Sequence, residues 1–316
     1  MRRLLLITLA VLLWAVPCLA QDKTYRISVT QIVEHPSLDA MRLGFLDRLA
    51  ALGIKVEPLV HIAQGNMGTN VQIASQIQGE NPDLILAITT PSAQAVAQKI
   101  KNKPIVFTGV TDPQGAGLVK LLGAPGGNIT GMTDMSPMDR HLALIRECLP
   151  GLKRLGVLYN AGEPNSVVLV NLLKAECVKA GIVLEEATVA NSAAVYQAAK
   201  SLVGRVDAVY VPVDNTVVSA LESAIKVCEQ NRLPFFSGDT DSVARGTVAA
   251  LAVDYRKMGE QTADMAARIL KDGKKPGDMP VESIKEPALH VNTAAAARMG
   301  LTLPQTVLER ADKVLR

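Results

Sequence analysis

The sequence predicts an α/β protein made of two doubly wound parallel-sheet lobes joined by a multi-strand hinge. Two series of β-rich apolar runs alternate with segments of helical periodicity, one series in each half of the chain. Strands and helices in alternation form parallel sheets whose crossover helices cover both faces. Runs such as DLILAIT and DAVYVPV are apolar throughout, as strands buried on both faces must be. Three interruptions of this alternation predict the hinge.

The first twenty residues are typical of a secretory signal peptide. Arg2 and Arg3 precede an apolar stretch from Leu4 to Val16, and Ala20 offers a small residue for cleavage. This stretch is shorter than the about 20 residues that a transmembrane helix needs. We therefore expect this leader to be removed and the mature protein to be periplasmic. Lipoprotein processing at Cys18, which would anchor the protein to the membrane, is the alternative.

The first series of β-rich runs predicts the sheet of the N-terminal lobe. Its four runs are residues 26–33, 54–60, 83–88 and 104–110. The alternation then breaks in the Gly/Pro-rich stretch GAPGGNITGMTDMSP, residues 123–137. Glycine and proline in such density favour a connection, so this stretch predicts the first passage of the chain between the lobes.

The second series predicts the C-terminal lobe. Its four runs are residues 154–159, 182–189, 206–213 and 233–237. A later Gly-flanked strand leads through Asp254 into a helix from about 255 to 271, which predicts a second passage between the lobes. A third passage is expected near Pro287. The predicted lobes are 21–132 with 254–287, and 133–253 with 288–316. Several short crossings between two rigid lobes make a hinge that can close over a ligand.

Composition and charge exclude several functional classes. The formal charge of +3 falls to about +1 when the two arginines of the leader are removed. No Lys/Arg cluster with interleaved aromatic residues is present, so we expect no nucleic-acid partner. GAPGGN lacks the lysine of a phosphate-binding loop, and no G-x-S-x-G motif occurs. We therefore expect no enzyme activity and no cofactor.

The cysteines and histidines do not indicate a metal site. Cys148, Cys177 and Cys228 remain after cleavage, each at an apolar position of a predicted helix, and we expect three buried structural thiols. No CxxC spacing occurs, and the four histidines are scattered along the chain.

Eight separated segments, in order and at compatible spacing, resemble one protein family. They are QIVEHPSLDAMRLGF, AQGN, PDLILAITTPSAQAVAQ, PIVFTGVTDPQGAGLV, PGGNITGMTD, GVLYNAGEPNSV, DAVYVPVDNTVVSAL and DYRKMGEQTADMAARIL. Together they span nearly the whole mature chain. The family is that of the ABC-transporter substrate-binding proteins of the tryptophan/tyrosine-uptake type.

This resemblance implies a type I periplasmic-binding fold, a small-molecule ligand in the cleft and delivery to a membrane permease. It also implies an aromatic amino acid as the ligand, with a branched aliphatic amino acid as the alternative. A sensory module that docks to a receptor instead of a permease is a further alternative. We expect a monomer.

Polar side chains follow the predicted strands of the first half, at the sheet edge where ligands bind. The candidates are Glu34, His35, Thr89, Thr90, Ser92 and Thr108. The hydroxyls of Thr89, Thr90 and Ser92 converge with free backbone N–H groups at a helix N-terminus, which is an anion-binding arrangement. An ordinary N-cap at Thr90 is the alternative. Near the end of the fourth strand we favour Thr108 over Asp112, which also suits a plain turn.

The second half provides a matching set of polar side chains at strand ends. The candidates are Tyr159, Asn160, Asn165, Ser166, Asp214, Asn215 and Asp239. We favour Asp214 as the counter-ion of a ligand ammonium group, because lobe closure would desolvate a carboxylate at a strand end. Its alternative role is to cap the helix that begins at Thr216. Asp239 is the next candidate.

Aromatic side chains are scarce, which bears on the ligand. A sugar site usually presents several stacking rings, whereas few aromatic residues here lie near predicted strand ends. The composition therefore favours a ligand with a single apolar side chain. Tyr255, at the second passage between the lobes, is expected to wall the cleft or to pack inward at the hinge.

Overall fold

The computed structural model describes residues 23–316, so the predicted leader and Cys18 lie outside the described residues. The strands are β1 (Tyr25–Gln31), β2 (Val56–Ile62), β3 (Leu84–Ile88), β4 (Ile105–Val110), β5 (Ile129–Thr133), β6 (Arg154–Asn160), β7 (Val183–Val189), β8 (Ala208–Val211), β9 (Phe235–Ser237), β10 (Ala249–Ala252), β11 (Glu282–Ser283), β12 (Ala288–Asn292) and β13 (Lys313–Leu315). The helices are α1 (Pro36–Ala51), α2 (Met67–Glu80), α3 (Thr90–Lys99), α4 (Met138–Cys148), α5 (Pro164–Ala180), α6 (Val195–Leu202), α7 (Asn215–Ser219), α8 (Leu221–Gln230), α9 (Asp241–Arg245), α10 (Tyr255–Leu270), α11 (Thr293–Arg298) and α12 (Gln305–Glu309).

Two parallel sheets organise these elements. The first has the strand order β11-β5-β4-β3-β1-β2, and every neighbouring pair in it is parallel. The second has the order β7-β6-β8-β9 and is also parallel throughout. The predicted α/β fold class is therefore confirmed. A third, mixed sheet of β10, β12 and β13, in which β10 and β12 are antiparallel, was not predicted.

The chain passes between its two halves three times. Residues 134–137 lead from β5 to α4, residues 253–254 lead from β10 to α10, and residues 284–287 lead from β11 to β12. The strands β5 and β11 lie in the first sheet, whereas β10 and β12 pair with each other in the mixed sheet. These short segments are the connections through which the two halves can rotate relative to each other.

The first passage is shorter than the sequence predicted. Residues 129–133 of the predicted connection form β5, which pairs with β4 inside the first sheet. Gly131 makes this possible, because a Cβ at this position would lie 2.0 Å from the carbonyl oxygen of Phe107. A glycine in a strand often marks such a close approach of two backbones. In the sequence the same glycine reads as a break.

Helices α1 and α10 pack with their backbones in contact. A Cβ at Gly44 would lie 2.4 Å from the carbonyl oxygen of Arg256, and a Cβ at Gly259 would lie 2.1 Å from that of Met41. The two glycines therefore let each helix backbone approach the other. This contact fixes α1 and α10 side by side.

The three described cysteines are buried and free, which confirms the prediction of structural thiols. Burial raises the pKa of the Cys148 and Cys228 thiols to about 12 and that of Cys177 to about 11. A thiol with so high a pKa carries little of the nucleophilic thiolate at neutral pH.

Within residues 23–316, no helix combines the length and the apolar character that crossing a membrane requires.

Candidate ligand-binding site

A cavity lies between the two halves, at the carboxyl ends of the strands of both parallel sheets. The space free of protein atoms there, including its opening to solvent, is about 370 Å³. Its lining from the first half is His35, Ser37, Leu38, Met41, Thr89, Gly109, Thr111 and Asp134. Residues later in the chain complete the lining: Asn165, Val213, Asp214, Asn215, Val218, Asp239 and Tyr255.

The N-terminus of α3 presents unpaired hydrogen-bonding groups at this cavity. Thr89 lines it and has a φ of 78°, in the left-handed region that β-branched residues rarely adopt. The hydroxyls of Thr89, Thr90 and Ser92 are buried and lack hydrogen-bond partners. Thr89 precedes the helix but its side chain makes no capping bond, and Thr90 is already helical. Strain and unpaired buried donors at one place indicate a ligand site.

Helix α5 contacts α3 across the cleft. Asn165 lies in its first turn and lines the cavity. Its Nδ2 donates to the carbonyl oxygen of Val213 (3.0 Å) and to Glu163 Oε2 (3.1 Å), whereas its Oδ1 is buried without a partner. Two helix N-termini with their free N–H groups therefore flank this end of the cavity, which favours a negatively charged group there.

Asp214 has the capping role, one of the two roles that the sequence left open. Its Oδ1 accepts from the Val217 backbone N–H (2.8 Å), which caps α7, and its Oδ2 accepts from the Asn160 N–H (2.6 Å) and the Ser166 hydroxyl (2.7 Å). It also lines the cavity and is 1% exposed. Burial, with a smaller contribution from the Glu163 carboxylate, raises the pKa of Asp214 to about 7.

Glu163 supports this loop through hydrogen bonds to its backbone. Its carboxylate accepts from the backbone N–H of Asn215 (3.1 Å) and of Thr216 (2.9 Å), and from both of their side chains. It is 4% exposed. Because it accepts from the first backbone N–H groups of α7, it holds Asp214 and Asn215 in place. A glutamate directly before Pro164 at a helix start was the signal available in the sequence.

Ser37 and Asp239 form a hydrogen bond between the two halves. The Ser37 hydroxyl on α1 donates to Asp239 Oδ1 at 3.1 Å. Asp239 also accepts from the backbone N–H (2.8 Å) and the hydroxyl (2.6 Å) of Ser242. Ser37 follows Pro36 at the start of a helix, and nothing in the sequence around it indicates a contact with a residue as distant in the chain as Asp239.

His35 is buried beside this contact and lines the cavity. Burial is the main cause that lowers the pKa of His35 to about 4, and the positive charge of Arg245 lowers it further. The carboxylates of Asp239 and Asp39 and a hydrogen bond with Asn215 act in the opposite direction. His35 is therefore a neutral imidazole in this structure.

We expect His35 to make the protein less stable in mild acid. Unfolded His35 takes up its proton near its ordinary pKa of 6.5, whereas the folded residue does so near 4, so the unfolded state gains more protons as the pH falls through this window. Between about pH 7.5 and about pH 5 the loss should be about 2 kcal/mol.

Chemical denaturation of the wild type and of His35→Gln at both pH values measures this loss. The variant is needed because His141 has a similarly lowered pKa and Asp214 a raised one, which acts in the opposite direction. An identical pH dependence of both proteins would contradict the prediction.

The end of the cavity nearest the hinge contains a carboxylate that the sequence did not predict as a site residue. Asp134 follows β5, and its Oδ1 accepts from the Thr111 hydroxyl at 3.0 Å. Its Oδ2 accepts from the Tyr255 hydroxyl at 3.3 Å. Burial raises the pKa of Asp134, and burial beside that carboxylate also raises the pKa of Tyr255. Asp134 lies in the stretch interpreted as a connection, so the strand-end rule was not applied to it.

The chain matches known proteins over nearly its whole described length. Residues 26–315 match the model of the ABC transporter substrate-binding protein family. The chain belongs to this family. It is 39% identical over 274 residues to a tyrosine-binding protein of Clostridioides difficile strain R20291, covering 85% of this chain and 79% of that protein.

Two solved structures differ in how closely the overall arrangement of this structure matches them. The ABC domain from Streptococcus pneumoniae in complex with L-Trp is 33% identical, with a TM-score of 0.89 over 93% of this chain and 100% of the other. A ligand-free, open substrate-binding protein with adhesive properties from Clostridium difficile is 38% identical, with a TM-score of only 0.68 over 92% and 99%. This substrate-binding protein therefore has its halves arranged more like the liganded relative.

The cavity of this substrate-binding protein does not include every predicted residue. His35, Thr89, Asn165, Asp214, Asn215, Asp239 and Tyr255 line it. Glu34 is exposed, and Tyr159 instead donates to Glu186 at 2.7 Å. Asn160 and Ser166 donate hydrogen bonds to the Asp214 carboxylate. Thr90 and Ser92 lie in the first turn of α3, next to Thr89.

Thr108, which the sequence analysis favoured near the end of β4, does not line the cavity. Its hydroxyl lies 3.5 Å from Met41 Sδ and accepts from Thr262 at 3.0 Å, so it packs between the sheet and the helices α1 and α10. Thr111, three residues later, lines the cavity instead. The side chain of Thr108 still belongs to a buried strand, whereas Thr111 lies beyond the strand end.

Among the residues that the structure describes, no group of three or more His, Cys, Asp or Glu side chains is arranged to hold a metal ion.

Proposed function

We propose that this protein is the extracytoplasmic solute-binding component of an ABC importer and that it binds an aromatic L-amino acid in the cavity between its halves. The observation that carries the proposal is the cavity itself. It has an anion-binding end at the N-termini of α3 and α5, a buried carboxylate beside that end, and an apolar wall beyond it. The relatives named for tyrosine and solved with L-Trp support the aromatic side chain.

The charged groups of an amino acid fit the cavity in one orientation. The α-carboxylate would accept from the Thr89 hydroxyl and the free N–H groups of the facing helices. The ammonium group would lie against Asp214, whose Oδ1 accepts one protein hydrogen bond and has a further lone pair. Pairing with an ammonium group would favour the ionised form of Asp214, against the burial that raises its pKa to about 7.

The side chain of the ligand would lie against the apolar lining. Leu38, Met41, Val213 and Val218 provide aliphatic surface, and Tyr255 provides one ring. A single stacking ring suits one aromatic side chain better than a sugar, in agreement with the expectation from composition. Ligand binding without turnover is expected.

Binding and release would follow rotation of two lobes about the three connections. The lobes are residues 21–132 with 254–287 and residues 133–253 with 288–316, and the hydrogen bond between Ser37 and Asp239 would form on closure. The leader would direct export to the periplasm, where the protein would act as a monomer and deliver its ligand to a membrane permease.

Tryptophan fluorescence tests the proposal directly. Trp14 is the one tryptophan of the chain and lies in the leader, so the protein beginning at Gln21 contains none. Excitation at the red edge of indole absorption then reports added L-tryptophan alone. We expect its emission to shift to shorter wavelength and its anisotropy to rise on binding, because the indole leaves water for an apolar cavity. Protein that has been unfolded and refolded to remove bound ligand is the sample to use.

Competition ranks the other candidates in the same experiment. Tyrosine and phenylalanine should displace tryptophan, and leucine should do so only at much higher concentration. No spectral change with tryptophan, together with thermal stabilisation by leucine alone, would contradict the aromatic ligand and leave a binding protein for a branched aliphatic amino acid.

A further inference from the structure

The hinge end of the cavity is built around Asp134. It directly follows β5, where the chain first leaves the first sheet, while Tyr255 begins α10, just after the second passage. The carboxylate is 8% exposed and accepts from the hydroxyls of Thr111 and Tyr255. The cavity wall at this end is therefore a carboxylate held between two connections of the hinge.

Asp134 is the least compensated of the three carboxylates that line the cavity. Asp214 and Asp239 each accept three hydrogen bonds of 3.1 Å or less, at least one of them from a backbone N–H. Asp134 accepts from two side-chain hydroxyls, one of them at 3.3 Å, and from the backbone N–H of its own residue. Within residues 23–316 no basic side chain forms an ion pair with it. A buried carboxylate with spare acceptor capacity is stabilised by a further donor.

The surroundings of Asp134 are suited to a ring. Gly109 has a φ of 62°, and a Cβ at this position would lie 2.9 Å from Met41 Cε and 3.9 Å from Asp134 Oδ2. The missing side chain lets Met41 pack close to the backbone of Gly109, beside the carboxylate. Met41, Gly109 and Tyr255 thus surround Asp134 with apolar and aromatic surface, in contrast to the polar groups around Thr89.

The distance between the two ends suits one amino acid. Thr89 follows β3 and Asp134 follows β5, and β4 lies between these strands. Two spacings of neighbouring strands amount to roughly 10 Å. This is comparable with the length of an aromatic amino acid from its carboxylate to the far edge of its ring. A ligand whose carboxylate meets Thr89 would therefore bring the edge of its ring to Asp134.

We propose that Asp134, held in place by Thr111 and Tyr255, accepts a hydrogen bond from the ring of the ligand and so selects aromatic amino acids that carry a ring donor. Tyrosine provides a phenol O–H and tryptophan an indole N–H, whereas phenylalanine provides neither. This inference rests on the proposed function. Phenylalanine would exclude water from the Asp134 carboxylate without replacing its hydrogen bond, and such a mismatch is strongly penalised.

A ligand series on the unaltered protein tests the proposal. Tyrosine and 4-aminophenylalanine carry a donor at the ring edge, and phenylalanine and 4-fluorophenylalanine have nearly the same shape without one. Tryptophan and 1-methyltryptophan form a second pair. By calorimetry we expect each donor-bearing ligand to bind at least ten-fold more tightly than its partner. Equal affinities within both pairs would overturn the proposal while leaving the proposed function intact.

Variants of Asp134 identify the residue responsible. In Asp134→Leu, which has a similar size but no acceptor, the ratio of tyrosine to phenylalanine affinity should fall to about one. Asp134→Asn keeps one acceptor oxygen and should give an intermediate ratio. Asp207→Asn, which alters an exposed aspartate that accepts from the Lys153 and Arg154 backbone N–H groups outside the cavity, should leave the ratio unchanged.

The pattern of losses separates this role from pairing with the ligand ammonium group. An ammonium partner would be needed equally by every amino acid, so equal weakening of tyrosine and phenylalanine binding in Asp134→Leu and Asp134→Asn would overturn the proposal. Absence of binding by all of these amino acids to the wild type would overturn the proposed function, and this inference with it.

Discussion

Gly259→Ala is expected to lower the free energy of unfolding by about 3 kcal/mol, because the added methyl group has no space. Its Cβ would lie 2.1 Å from the carbonyl oxygen of Met41, a backbone atom that can move only if the whole helix α1 moves. Because α1 and α10 also carry Ser37, Met41 and Tyr255 at the cavity, the same change should weaken ligand binding. Chemical denaturation and calorimetry measure the two effects.

A second glycine provides the matched control. Gly79 lies in α2, is exposed, and has no atom within 4 Å of the place where its Cβ would be. Gly79→Ala should therefore stabilise the protein by about 0.5 to 1 kcal/mol through helix propensity alone. If both substitutions changed stability equally, the close contact between α1 and α10 would be refuted.

Asp214→Asn is expected to reduce both ligand affinity and stability. The amide cannot accept at both of the oxygen positions that now receive the N–H groups of Val217 and Asn160, so stability should fall by about 1 to 3 kcal/mol. Loss of the ammonium partner should weaken amino-acid binding by about 2 to 5 kcal/mol.

Another N-cap aspartate separates the two effects. Asp254 caps α10 through the Lys257 N–H but does not line the cavity. Asp254→Asn should cost a few tenths of a kcal/mol of stability and leave the affinity unchanged. If Asp214→Asn lowered the stability and left the affinity at the wild-type value, Asp214 would be a capping residue and not the ammonium partner.

The fold could be predicted because its signals are local. Continuous apolar runs such as Leu84–Ile88 become central strands, and their alternation with helical segments fixes the parallel topology. The strand β5 was missed for an equally local reason. Gly131 breaks the apolar pattern in the sequence, and only the approach of the Phe107 backbone explains why a glycine stands there.

The site could be predicted only in part, because its residues are of two kinds. Thr89, Asp214 and Asp239 follow predicted strands, and the edge at which parallel strands end brings such residues together. Ser37 and Asp134 reach the cavity through the packing of α1 and through the unpredicted strand β5. Contacts of this kind depend on how the two halves meet, and no local pattern contains that information.

The measurement that tests the account most directly is calorimetric titration of the refolded, ligand-stripped protein beginning at Gln21 with L-tryptophan and with L-tyrosine. The account predicts saturable binding of one molecule per chain, with a negative heat-capacity change from burial of the ring. If folded protein gave no saturable heat with either amino acid at several temperatures, and neither raised its melting temperature, the cavity would not be a site for aromatic amino acids.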